Sequence, residues 1–178
     1  TANYLVERPW IYPENDYMTY FQSGVNFTNN IQLAKSSEVG SFRMSYTNSD
    51  ITGITPNSHL KRNTVSFSGT SIFNKYLDGW AAMNYVNNNT LGRPETGYGD
   101  RNPVQKMWQW SQTSLDYKAL RSYENPDGSQ RTWNRSSYDD GTPLYTDNPF
   151  WSAYKNYQND RRNRVYGNAG INLKLTDW

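Results

Sequence analysis

The sequence predicts an all-β fold, an antiparallel sheet of about five strands, and two observations support this fold class. Apolar and polar residues alternate in five runs, at residues 21–33, 41–47, 64–73, 80–86 and 164–176. Successive side chains of a strand point to opposite faces, so each run predicts a strand with one apolar face and one polar face. In addition, the connections between the runs are alternately short and long.

The first run shows the alternation clearly. Val25, Phe27, Ile31 and Leu33 occupy odd positions, while polar residues occupy most of the even positions between them. Residues 35–40 then predict a tight hairpin connection to the second run, where apolar and polar residues alternate again. These two runs therefore predict neighbouring antiparallel strands.

The third run is set between a long connection and a short one. Residues 48–63 precede it, and Gly53 and Pro56 mark this segment as a loop. Residues 74–79 follow the run and predict a short turn, in which Asp78-Gly79 is the strongest local signal. The fourth run therefore returns antiparallel to the third.

The longest connection, residues 87–162, is predicted to be folded. Asn102-Pro103 and Asn148-Pro149 each place a capping residue before a proline at the first helical position, so two short helices are expected. Residues 125–128 and 139–143 are rich in Asp, Gly and Pro and predict turns. Connections of this length in compact domains commonly carry function.

The composition restricts the kind of membrane or soluble protein that this sequence can form. Mean hydropathy is −0.98 and aromatic residues make up 16% of the chain. The apolar runs are far shorter than the ~20 residues of a spanning helix. A barrel strand, however, needs an apolar residue only at every second position, and outer-membrane barrels combine short periplasmic turns with long outer loops. The pattern therefore predicts an antiparallel transmembrane β-barrel segment in the outer membrane of a Gram-negative bacterium, with Trp80 in an aromatic belt.

Catalytic and metal-binding patterns are weak in this sequence. There are no cysteines, and His59, the only histidine, has no nucleophile pattern near it. Asp139, Asp140 and Asp147 lack the spacing of a calcium-binding EF-hand loop, and they are interpreted as turn-forming residues. We therefore expect no enzymatic activity, no cofactor and no metal.

The basic residues do not predict a nucleic-acid partner. The formal net charge is +2, and most of the lysines and arginines are scattered along the chain. One local concentration, Arg161, Arg162 and Arg164, precedes the last run, and we interpret it as a solvated or loop-facing patch.

Several sequence stretches occur in an order and at a spacing typical of one family of barrels. They are Phe21-Gln22-Ser23-Gly24, residues 40–48, 60–63 and 92–94, Asn102-Pro103 with Trp108-Gln109-Trp110, residues 147–151, and residues 160–164 leading to Leu175-Thr176-Asp177-Trp178. Together they resemble consecutive strands and loops of the SusC/RagA-like TonB-dependent outer-membrane transporters. The resemblance covers most of the chain, and it depends on the order of the stretches.

The resemblance implies a much larger assembly. Such a barrel has about 22 strands, a size at which a plug closes the lumen. Residues 1–178 would be a partial barrel, residues 87–162 a long extracellular loop within it, and the plug domain would be absent from this chain. The implied function is the active import of oligosaccharides or peptides as part of nutrient uptake. The implied partners are the rest of the barrel and plug, outer-membrane lipid, a SusD-like surface lipoprotein, and the TonB–ExbB–ExbD complex acting through the missing plug region.

Aromatic residues of the long connection are the candidate contacts to substrate or partner. Ring faces can stack on sugars or on peptide side chains, and the polar edges of Tyr and Trp can form hydrogen bonds. The candidates are Tyr98, Trp108, Trp110, Trp133, Tyr145 and Trp151. The same side chains could instead form the core of the loop or pack against a partner.

An alternative from another class is a soluble, aromatic-rich β-sandwich that acts as a carbohydrate-binding module. It would also have alternating strands and exposed tryptophans. It predicts that this chain folds alone and that its connections do not alternate regularly between short and long. A glycoside hydrolase is a third possibility, although no pair of carboxylates stands out in the sequence.

Overall fold

The computed structural model describes residues 6–7 and 9–176 as two compact units. The first, called here the sheet unit, contains one five-stranded antiparallel sheet in which the strands lie in chain order. Its strands are β1 (Val25–Ser37), β2 (Gly40–Thr52), β3 (His59–Asn74), β4 (Leu77–Leu91) and β5 (Asn159–Leu173). The prediction of an all-β, antiparallel fold is confirmed, and the sheet is open. Asp177 and Trp178, part of the last stretch in the resemblance, lie outside the described residues.

Four of the five strands are longer than the alternating runs predicted, and β1 is displaced along the chain. β2 continues to Thr52 and β3 begins at His59, so the connection predicted over residues 48–63 is only residues 53–58. β4 continues to Leu91, and these extensions are mostly polar. β5 begins at Asn159 rather than at residue 164, and β1 begins at Val25 rather than at residue 21. Polar residues therefore extend the strands, because the backbone ladder to neighbouring strands holds them in place.

The turn between β3 and β4 lies before Asp78-Gly79, the pair that gave the strongest turn signal in the sequence. Lys75 and Tyr76 form the turn, and the side chain of Asn74 accepts a hydrogen bond from the backbone of Tyr76 at 2.8 Å. Asp78 and Gly79 lie inside β4, where they pair with β5. The turn predicted within residues 74–79 is therefore confirmed, although its strongest signal, Asp78-Gly79, belongs to β4.

The register places all the long connections at one end of the sheet. Val25, Thr52, His59, Leu91 and Asn159 lie in one row across the five strands. The two short turns lie at the opposite end of the same strands. Short connections therefore lie at one end of the sheet, and longer connections lie at the other.

The second unit, called here the loop unit, consists of the described residues 6–7, 9–23, 53–58 and 92–158. The connection between β4 and β5 is therefore residues 92–158, shorter at both ends than the predicted 87–162, because both strands are longer. It contains α1 (Pro103–Trp110), α2 (Tyr117–Leu120) and α3 (Pro149–Lys155), and a short 3-10 turn precedes the sheet at Tyr17–Tyr20. Among the described residues, no helix is long and apolar enough to cross a bilayer.

The two predicted helix starts are confirmed. The Asn102 side chain accepts a hydrogen bond from the backbone N–H of Gln105, and the Asn148 side chain accepts one from Phe150. In both helices proline occupies the first helical position, where its missing N–H costs nothing. Asp116 caps α2, which the sequence analysis did not predict.

The loop unit has its own buried core. Tyr20, Met107, Tyr117 and Phe150 pack together, and the rings of Tyr20 and Phe150 meet edge to face at 5.2 Å. The side chain of Asn148 is fully buried beside this core, and its amide donates to two backbone carbonyls, each at 2.9 Å. These contacts fix the long connection as a folded body, as the helix caps predicted.

Candidate functional site

One face of the sheet is an exposed apolar surface. It is called here the apolar band and consists of alternate residues of all five strands. Its large members are Val25, Phe27, Ile31, Leu33, Phe42, Met44, Tyr46, Val65, Phe67, Phe73, Met83, Tyr85, Val165, Ile171 and Leu173. Ile31 and Ile171 are each 73% exposed. A contiguous exposed apolar surface of this extent marks contact with another apolar phase or partner.

A row of five asparagines crosses the face that carries the apolar band. Asn29, Asn48, Asn63, Asn87 and Asn163 occupy equivalent register positions on β1 to β5. The Asn48 amide donates to Asn63 at 2.8 Å, and the Asn87 amide donates to Asn163 at 2.6 Å. The row separates the apolar residues of β2 to β5 from charged and polar residues nearer the long connections.

Two tyrosines join the apolar band to this row. The Tyr46 hydroxyl donates to the side-chain oxygen of Asn63 at 2.7 Å, and that of Tyr85 donates to Asn163 at 3.0 Å. Each ring lies in the band while its hydroxyl reaches the polar row. This is the arrangement expected of tyrosine at the border between an apolar and a polar phase.

The opposite face of the sheet is mostly polar. It carries serine, threonine and asparagine along most strand positions, together with Arg43, Arg62, Arg162 and Arg164. Trp80 lies on this face, because it is in register with Thr70 and Gly170. The prediction that Trp80 belongs to a belt on the apolar side was therefore wrong, since a one-residue offset in a strand reverses the face.

The basic patch predicted at the start of the last run is divided between the two faces. Arg161 lies in register with Asn89, on the face of the apolar band. Arg162 and Arg164 are on the polar face, in register with Asn88 and Val86. The patch is part of β5 and not of a loop, so its arginines alternate between the two faces of the sheet.

Among the six predicted aromatic site residues, one pair comes together. The rings of Trp110, at the end of α1, and Tyr145 stack with centroids 5.7 Å apart and planes at 16°. Tyr145 is 70% exposed. Its backbone adopts a φ of 64°, a left-handed conformation that costs free energy in a non-glycine residue. The structure thus holds an exposed aromatic ring in a strained position against a second ring.

The other four candidates lie in separate places. Trp108 is exposed but packs on Tyr17, with centroids 5.0 Å apart, and it lines a cavity of about 170 Å³. The Tyr98 ring is exposed beneath the Lys106 ammonium. Trp133 is half-buried. Trp151 meets Tyr123 edge to face, and this tyrosine also stacks on Tyr154.

Two aspartates of the loop unit act locally in turns. Hydrogen bonds from the side chain and backbone of Ser129 hold the pKa of Asp127 below its ordinary value. Those from the backbone and hydroxyl of Thr142 do the same for the pKa of Asp140. Each carboxylate therefore closes a turn, as the sequence indicated. In the part of the chain that the structure describes, no three acidic or histidine side chains gather at one point.

His59 contacts an acidic neighbour across the sheet. It begins β3, and its Nε2 atom lies 3.1 Å from the carboxylate of Asp50 on β2. Lys61 approaches the other oxygen of the same carboxylate at 3.8 Å. This is a cross-strand charge cluster at the end of the sheet that bears the long connections.

No family model matches the sequence, and none of the curated proteins matches it either. The functional interpretation therefore depends on the side chains of the two sheet faces and of the loop unit.

The sequence analysis missed the asparagine row and the grouping of Arg62 with Arg162 and Arg164 on the polar face. A signal for the row was present, since each asparagine stands two positions from an apolar residue that shares its face, as Asn63 does from Val65. The arginine grouping has no such signal. Arg62 and Arg162 are a hundred positions apart, and only the strand register brings them close.

Proposed function

We propose that this chain is part of the wall of an outer-membrane β-barrel that actively imports oligosaccharides or peptides. The apolar band would face lipid and the polar face would line the lumen. The observation that carries the proposal is that one face of the sheet is apolar and exposed on all five strands while the other face is mostly polar.

On the side of the short turns, the apolar band extends further on β5 than on β1. Leu33 is the last apolar residue of the band on β1, and it is in register with Gly167 of β5. On β5 the band continues to Leu173, six residues further. The band ends at the same register on β4 and β5, where Leu77 pairs with Leu173. A staggered apolar border of this kind fits strands that tilt across a bilayer.

The absence of a sheet core also supports a lipid-facing wall. No apolar side chain of the described sheet residues is buried, whereas the loop unit has a core. A soluble β-sandwich would need a second sheet on the apolar band, and the described residues form one sheet only. Lipid on one face and a hydrated lumen on the other would suit both surfaces as they stand.

The proposed mechanism is gated transport without covalent chemistry. A SusD-like lipoprotein captures substrate outside the cell, and the TonB–ExbB–ExbD complex uses the proton-motive force to disturb the plug. The stacked Trp110 and Tyr145 offer ring faces for a sugar or an apolar side chain of the substrate or the lid. Both the plug and the remaining strands would come from the rest of the protein.

Single cysteine substitutions on neighbouring residues test which face meets lipid. The sequence contains no cysteine, so each label would report one position within it. Spin labels are placed at Leu33 and Gln32, and at Phe67 and Ser66, in the complete natural chain in membranes. We expect labels at 33 and 67 to collide with lipid-soluble oxygen, and labels at 32 and 66 to collide with a water-soluble nickel chelate.

The outcome separates the proposed function from its main alternative. A protein that stays in the soluble fraction, lacks heat-modifiable migration on gels and shows no alternation of labels contradicts the barrel. In that case, specific binding of an oligosaccharide by the soluble chain would favour the carbohydrate-binding module.

A further inference from the structure

Three arginines converge on the polar face of the sheet. Arg62, Asn88 and Arg162 lie in one register row across β3, β4 and β5, and Arg164 is two residues further along β5. Neighbouring strands are about 4.8 Å apart and alternate residues of one strand about 6.6 Å apart. All three guanidinium groups can therefore reach a shared volume above β4.

Two of the arginines are held by neighbouring side chains. The Nε of Arg62 donates to the side-chain oxygen of Asn88 at 3.0 Å. The Arg164 guanidinium lies over the ring of Tyr166, 5.7 Å from its centroid. These contacts restrain the side chains and leave their terminal N–H groups available to another group.

No acidic side chain neutralises the cluster within the described part of the chain. None of the three arginines takes part in an ion pair there. Asp160 is the nearest acid along the same face of β5, and its carboxylate accepts a hydrogen bond from Thr90. The three like charges therefore repel one another, and an anion between them would remove that repulsion.

The arginines line an open polar cavity. Its volume is about 530 Å³, and its other lining residues are Thr64, Val86, Asn88 and Tyr166. This is large enough for one substituted sugar ring or a short acidic side chain together with its solvent. The flat fork of an arginine matches the two oxygens of a carboxylate or a sulfate.

We propose that Arg62, Arg162 and Arg164 form a binding site for an oxyanion, a carboxylate or sulfate group, carried by the imported substrate. This inference rests on the proposed function, because the polar face must line the lumen for substrate to reach it. It narrows the substrate class to acidic oligosaccharides or acidic peptides.

The test compares acidic ligands with their neutral counterparts on the complete natural chain in detergent. The pairs are oligogalacturonate and its methyl ester, a sulfated oligosaccharide and its desulfated form, and a glutamate peptide and its glutamine analogue. We expect one acidic member to bind more tightly than its partner, with an affinity that decreases as salt is added. The pair that shows the difference identifies the source of the oxyanion.

Substitutions then locate the site on the sheet. Arg62→Gln and Arg162→Gln are each expected to weaken the preferred acidic ligand about tenfold, with little effect on its neutral partner. Arg162→Lys keeps the charge but loses the fork, so a smaller loss is expected. Arg161→Gln is the matched control, since it removes the same charge from the adjacent residue on the opposite face.

Equal binding of acidic and neutral ligands, in a protein whose spin labels alternate as described above, would overturn the oxyanion site alone. The oxyanion site would also be overturned if the arginine variants lost heat-modifiable migration but kept their preference for the acidic ligand. The arginines would then stabilise the fold by pairing with another part of the protein. Labels that do not alternate would instead overturn the proposed function and the lumenal role of the site with it.

Discussion

The sheet unit and the loop unit are stabilised in different ways. The loop unit buries Tyr20, Met107, Tyr117 and Phe150, and satisfies the fully buried Asn148 amide. The sheet unit has long backbone ladders but, among its described residues, no buried apolar side chain. One region therefore carries its own core, and the other exposes apolar side chains along five strands.

The two regions therefore differ in where their apolar side chains lie: in a buried core in the loop unit and on an exposed face in the sheet unit. Burial of apolar surface is the main source of stability for a domain in water, and the loop unit follows that rule. A sheet that presents an apolar face outward follows it only if another phase or partner covers that face. Changes in the loop unit should thus affect its core, whereas changes in the apolar band should depend on what surrounds it.

The largest expected effect is Asn148→Asp. It replaces an amide that donates to the carbonyls of Leu120 and Arg131 with a carboxylate that faces them. We expect the free energy of local unfolding of the loop unit to fall by about 4 kcal/mol. Hydrogen exchange would measure this loss at α3 and show little change in the sheet.

Asn102→Asp is the control, because Asn102 also caps a helix before proline but is not fully buried. Equal losses in the two variants would contradict the role of burial.

A charged residue in the apolar band has the next largest effect. Leu33→Arg is expected to cost about 3 kcal/mol of folding free energy if this face meets lipid. Gln32→Arg, on the opposite face one residue away, should cost little. Urea unfolding of the complete chain in lipid vesicles would measure both variants. If neither variant alters the unfolding free energy, the band is in contact with water.

Gly92→Ala should destabilise the loop unit by about 2 kcal/mol. Gly92 has a φ of 60°, and a Cβ atom there would lie 1.9 Å from the carbonyl oxygen of Asn57. Gly128→Ala is the matched control, since its φ is 82° with no atom within 4 Å, so only the backbone cost of about 1 kcal/mol remains. Hydrogen exchange near residues 53–58 would distinguish them, and equal effects would show that the steric contact is relieved at no cost.

The smallest expected effect comes from two buried tyrosines. The Tyr20 hydroxyl is buried and has no hydrogen-bond partner among the described residues, so Tyr20→Phe should stabilise the loop unit by about 1 kcal/mol. Tyr117→Phe should destabilise it by a similar amount, because the Tyr117 hydroxyl donates to Ser111 at 2.8 Å. Thermal unfolding monitored by near-ultraviolet circular dichroism would compare them. A loss in both variants would mean that Tyr20 has a partner in solution.

The same two tyrosines predict a dependence on alkaline pH. Burial raises the pKa of both side chains above the ordinary value of 10.0. The folded loop unit therefore favours the neutral phenols. Its stability is fully present below about pH 10 and decreases as the pH rises above that value, where the unfolded chain ionises first. Tyr20→Phe should flatten this decrease.

The sequence predicted the strands well because a strand with one apolar face has a strict period of two. Positions such as Ile31, Leu33, Val165 and Ile171 show this period. The strand ends were missed because polar residues such as Asn63 and Asn87 carry no such signal. Their place in a strand is decided by pairing with neighbours, which a single sequence does not reveal.

The helix starts could be predicted, but the contacts between distant residues could not. Asn148 followed by Pro149 encodes a cap locally, within a few residues. The stacking of Trp110 on Tyr145 requires the chain to reverse through more than thirty residues of irregular structure. For the same reason, Arg62 and Arg162 become neighbours only once the order and register of three strands are known.

The asparagine row also has a consequence for the way in which the strands assemble. A slip of one residue in any strand pair would move its asparagine to the opposite face, and a slip of two toward the short turns would place it beside an apolar side chain. Each error would leave an amide without the partners that Asn48 and Asn63 give one another. The row therefore stabilises one strand register relative to the others that similar alternating strands could adopt.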